Sequence, residues 1–88
     1  MNGPPEMVRE RRAVLLAWLA GQLNGRGIAA EVLDVDGVGI LRARARCVRH
    51  VACVPVPQHD TWAFVYSGGW VLVTDPLAAD TVGTAVAR

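Results

Sequence analysis

Residues 61–75 constrain the fold most, because four of the chain's five aromatic residues fall there in the pattern of a β-hairpin. Trp62, Phe64 and Tyr66 alternate with Ala63 and Val65, which puts the aromatics on one face of a strand. Ser67, Gly68 and Gly69 tolerate the positive φ of a tight reversal, after which the hairpin's return strand follows. A strand with three aromatics on one side needs a covering layer, so the rest of the chain must pack on it.

The covering element is a helix. The spacing predicts one from about Pro5 to Asn24, after a flexible lead-in at residues 1–5 and ending at Gly25, Arg26 and Gly27. At 100° per residue Val8, Leu15, Leu16, Leu19 and Leu23 form one apolar stripe, assigned to the core. Met7, Val14 and Trp18 form a second, narrower stripe, set apart by Arg11 and Gln22, and the remaining face is mostly Ala13, Ala17 and Ala20. The second stripe reads either as a contact surface, such as the seam of a homodimer, or as a helix edge wrapped by its own sheet with Trp18 at the core margin.

Residues 28–36 read as a first strand closed by an Asp36-Gly37 turn. Residues 39–46 read as a second, with Leu41, Ala43 and Ala45 alternating against Arg42, Arg44 and Arg46, whose face should point to water. Residues 51–56 give a third, with Pro55 and Pro57 suited to an edge or a strand end. Asp75 and Pro76 are the expected N-cap and first turn of a short closing helix that runs to Ala87 and turns Val82 and Val86 inward. The expected architecture is a single α+β domain over residues 1–88: a long N-terminal helix on a four- or five-stranded antiparallel meander, with a short C-terminal helix at its margin.

Composition bounds the function. With 88 residues there is room for one core, and a hydrophobic share of 52% against 19% charged is rich for so small a chain, so some apolar surface is expected to stay open to a partner. A net charge of +1 argues against a polyanion binder working by bulk charge. All nine basic residues are arginine, a bias that suits a high-GC bacterial genome. The two cysteines are too few for a disulfide scaffold and point to reduced thiols in a cytoplasm. The apolar run at 13–21 is too short to span a bilayer and too deep behind mixed charges for a signal peptide, so no membrane association is expected.

Three residue sets could carry chemistry. Cys47, His50, Cys53 and His59 are of the types that bind zinc, but their spacing matches no common finger, and residues three apart on a strand point to opposite faces. The same set, with Asp60 as orienter, could form a Cys-His nucleophile, yet no glycine turn or helix N-terminus beside either cysteine supplies an oxyanion site. Arg42, Arg44, Arg46 and Arg49 could grip phosphates if they shared an exposed face with Trp62, Phe64 and Tyr66. The competing reading puts the aromatics under the helix and the arginines in water, paired with Glu31 or Asp34. The run from Asp34 to Ile40 starts like a calcium loop, but Val38 stands where an oxygen ligand is needed and Ala45 where a bidentate Glu is needed, which leaves a β-turn. No cofactor motif is present.

The segments at 25–28, 51–53 and 62–68, with the Asp75-Pro76 helix start, resemble a group of small actinobacterial helix/antiparallel-sheet/helix proteins that are companions of transcriptional regulators. The resemblance implies a regulatory or adaptor role. Together the residues and the resemblance point to a non-enzymatic cytoplasmic protein acting by protein–protein interaction, with a homodimer as the expected form and a nucleic-acid module or a metal/thiol protein as the alternatives.

Overall fold

A computed structural model describes residues 5–88. The predicted flexible lead-in falls on residues 1–4, outside the described residues, and on Pro5, which already belongs to the helix. Helix α1 spans Pro5–Gly25, followed by strands β1 (Ala29–Val35), β2 (Val38–Arg44), β3 (Val48–Val56), β4 (Thr61–Tyr66) and β5 (Gly69–Leu72), and by helix α2 (Ala78–Val86). The strands form one antiparallel meander in the order β1-β2-β3-β4-β5. Both helices cover the same face, α1 over β1 to β3 and α2 over β4 and β5, giving two layers.

Local chemistry sets the boundaries. Helix α1 ends in a Schellman motif: Gly27 takes φ +81°, its N–H donates to Asn24 O, and the Ile28 N–H donates to Leu23 O, both at 3.0 Å. Leu23 and Ile28, the apolar pair of that motif, are both buried. The Asn24 side chain then clasps the backbone of Ala30, accepting from its N–H and donating to its carbonyl, and so fixes where β1 begins. Asp36 and Gly37 turn the first hairpin with φ +53° and +82°, the signs of a type I′ turn, and Asp34 Oδ1 accepts from the Gly37 N–H at 2.7 Å. The β4–β5 turn needs only one left-handed residue, Gly68 at φ +99°, while Gly69 is already in β5.

Three boundaries differ from the sequence reading. The second strand ends at Arg44, not Arg46, because the chain bends over residues 45–47, and the third begins at Val48, three residues early. Asp75 does not cap α2: its side chain accepts from the Leu77 N–H at 2.8 Å and its carbonyl from the Ala78 N–H, closing a turn that holds Pro76 and delays the helix to Ala78. Pro55 and Pro57 do lie at a strand end. β3 pairs with β2 only over Val48 to Val51 and with β4 only over Ala52 to Val56, so Pro55 lies beyond the β2 ladder.

The core lies between α1, α2 and the near face of the sheet. Leu16, Leu19, Leu41, Val51, Phe64 and Val82 are fully buried. Ala20 belongs to this core rather than to the outer helix face, while Val8 and Leu15 pack at its edge. Val82 and Val86 hold α2 down as their spacing predicted, and Arg26 on the α1–β1 connection reaches Asp80 in the first turn of α2 at 2.6 Å.

Candidate interaction surface

The strand register sorts the sequence-predicted residues onto two faces. Trp62, Phe64 and Tyr66 lie on the helix face, with Trp62 and Phe64 buried. Arg42 and Arg44 lie on the outer face, where Arg42 forms an ion pair with Glu31, its cross-strand partner. Arg46 falls in the 45–47 bend and is not on the strand. Arg49 is paired with Ala43 and so points to the helix side, where it lines a cleft of about 510 Å³ and donates through Nη2 to the Arg88 carbonyl at 3.2 Å. The four arginines therefore form no common surface, and the aromatics predicted to join them are beneath the helices.

The cysteine and histidine set is likewise dispersed. Cys47 is exposed in the bend, His50 is exposed on the outer face, Cys53 is buried on the helix face, and His59 is exposed in the 3-10 turn at Pro57–His59. Among the described residues no three His, Cys, Asp or Glu side chains gather as a metal site. Burial pushes the Cys53 thiol up to about 12, against a smaller opposing pull from the Arg12 and Arg11 charges, so the group stays a neutral thiol. A protonated, enclosed thiol is a poor nucleophile and a poor metal ligand.

Arg12 has a role that the sequence reading missed. Past Val51 the β2–β3 ladder stops, and Arg12 Nε donates to the Cys53 carbonyl there at 2.9 Å. Its stem passes over Gly39, where a side chain would meet Arg12 Cδ and Leu16 Cδ1, and its guanidinium sits 5.6 Å from the centre of the Trp62 ring. The signal was present on the helical wheel: Arg12 stands four residues from both Val8 and Leu16, a lone cation inside the apolar stripe.

Two apolar surfaces remain open. On α1, Met7 and Val14 are 61% and 60% exposed, while Trp18, 45% exposed, stacks on Phe64 with ring centres 6.2 Å apart. The larger surface is the outer face of the sheet. Its residues are the alternate positions of every strand, and the register aligns them in rows. Within β1 and β2 the rows are Leu33–Ile40 and Val35–Val38, and within β3 to β5 they are Ala52–Val65–Trp70 and Val54–Ala63–Leu72; the two sets adjoin where the β2–β3 ladder has ended. Ten residues across five strands make a belt without a charged or polar side chain. Of these only Ala63 is buried, and Trp70 is 59% exposed. Arg42, Glu31 and His50 occupy the neighbouring row, at one border of the belt.

No helix among the described residues is long and apolar enough to cross a membrane. Comparison with known proteins returns no similarity: no family model, curated protein or solved structure matches the chain.

Proposed function

We propose that this chain is a small non-enzymatic protein that acts in the cytoplasm by protein–protein interaction, as a homodimer with a regulatory or adaptor role. The observation that carries this reading is the quantity of apolar surface left open on a domain whose core is already complete. Large hydrophobic side chains stay exposed on α1 and on the outer face of the sheet, where Val35, Val38, Val54, Val65 and Trp70 are open. Contiguous patches of this kind on a folded domain mark sites of association. The dispersal of Cys47, His50, Cys53 and His59 and the protonated state of the Cys53 thiol favour binding over catalysis. The regulatory role rests on the resemblance of the segments at 25–28, 51–53 and 62–68 to companions of transcriptional regulators.

The test is the native mass of the purified protein across a concentration series from micromolar to millimolar. A species of twice the chain's 9.4 kDa mass is expected as concentration rises. A monomer at every concentration contradicts the homodimer.

A further inference from the structure

We propose that the bare outer face of the sheet binds a second copy of this chain face to face, forming a four-layer helix–sheet–sheet–helix dimer; the proposal rests on the homodimer reading above and assigns its seam. The residues at stake are Leu33, Ile40, Val54, Val65, Trp70 and Leu72, at the centre of the belt. Both helices lie on the opposite face, so no described segment of the chain covers these side chains.

Charge, shape and area identify the occupant. The belt is uncharged, Glu31 at its border is paired with Arg42, and the one further charge on this face, Arg44, lies a row beyond them at the strand end, too little for a surface that binds a nucleic acid or an acidic peptide by charge. An apolar face can meet its own copy, as a two-fold interface requires, because apolar burial needs no opposite charge on the partner. Two sheets with the same twist stack at about 10 Å with strands inclined by about 30°. Five strands at about 4.8 Å and about 20 Å of strand length, which takes in the two apolar rows and the bordering row of Glu31, Arg42 and His50, give roughly 500 Å² of flat area per copy before side-chain relief is counted. The pair then buries about 1,000 Å² or more, about the least that a biological interface should bury. The stripe at Met7, Val14 and Trp18 lacks this: Trp18 is partly spent on Phe64, and Met7 and Val14 flank the charged Arg11.

Sedimentation equilibrium of the wild type, Val65→Lys and Val14→Lys tests the assignment, with circular dichroism showing that each variant is folded. A lysine at position 65 enters the seam twice in a symmetric dimer, so the dissociation constant is expected to rise at least about 100-fold, while Val14→Lys leaves it unchanged. Trp70→Lys, at a more exposed position of the same row, serves as the second variant if Val65→Lys does not fold, and the same loss of dimer is expected. Dimers that survive both belt substitutions but dissociate in Val14→Lys overturn the assignment and leave the homodimer reading standing. A wild type that is monomeric throughout overturns both.

Discussion

On the helix side of the sheet Leu41, Val51, Phe64 and Val71 lie under two helices and carry the core. One residue along each of those strands, Ile40, Ala52, Val65 and Trp70 present the same kind of side chain to the opposite side, with no layer above them. Composition alone does not distinguish the faces; the position of the helices does. Antiparallel sheets that face water on one side normally alternate apolar with polar, whereas strands apolar at both parities belong in sheets covered on both sides. In this domain the second cover is missing from the described residues, and the difference between the faces is the difference between residues packed into the core and residues left open.

Neighbouring positions on β4 give the strongest way to break that comparison. Phe64→Ala removes a fully buried ring and the platform on which Trp18 stacks, and is expected to cost about 3–5 kcal/mol of unfolding free energy. Val65→Ser, one residue on, is expected to cost less than about 1 kcal/mol in urea unfolding at concentrations where the chain is monomeric, because its side chain is already open to water. Equal losses at the two positions would mean that something in the monomer covers the outer face.

Arg12 sharpens the account of the covered face. Arg12→Met keeps much of the stem over Gly39 but removes the donor to the Cys53 carbonyl and the cation above Trp62, and a loss of about 1.5–3 kcal/mol is expected. A variant as stable as the parent would show that water satisfies that carbonyl as well as the guanidinium does.

The fold was largely legible in the chain and the surface was not, for reasons that particular residues make plain. The α1 stripe at Leu16, Leu19 and Leu23, the Asp36-Gly37 turn and the aromatic parity of β4 are local patterns, each set by periodicity or by backbone conformation within a few residues. The belt is a sum over five strands. Leu33 falls beside Ile40, and Val65 beside Trp70, only once the register is known, and on their own strands they read as the minor partner of a stronger alternation. The arginine strand misled because period-2 spacing was extended through the 45–47 bend, which carries Arg46 off the strand and lets Arg49 emerge on the other face. The contact between Arg12 and Cys53 joins residues 41 apart, a separation at which sequence pattern carries no information.

Titration of Cys53 gives an effect that grows with pH and is absent at neutral pH. The folded thiol holds its proton up to about 12, while the unfolded thiol loses it near about 8.5. Above the unfolded value the native state binds more protons than the unfolded state, so stability is fully present below about pH 8 and falls by about 1.4 kcal/mol per pH unit above about 9. Denaturant midpoints from pH 7 to 10.5 should follow that curve, and Cys53→Ala should remove this component. An unchanged slope in the variant would place the thiol outside the core it is assigned to.

Gly83 gives the smallest effect. A methyl group there would meet Arg26 Cδ at 3.5 Å and Leu23 Cδ2 at 3.6 Å, ordinary contact distances between α2 and α1. Gly83→Ala is expected to stabilise the fold by about 0.5–1 kcal/mol through helix propensity, seen as a rise in thermal midpoint. A fall would show that the two helices are packed more tightly than these distances imply.

The most direct measurement is an isotope-filtered NOE spectrum of a mixed sample, one population labelled and the other not, which records only contacts between copies. Intermolecular contacts among the methyl groups of Leu33, Ile40, Val54, Val65 and Leu72 and the Trp70 ring are the predicted result. Contacts confined to Met7, Val14 and Trp18, or none at millimolar concentration, would contradict the assignment of the bare sheet face as the seam.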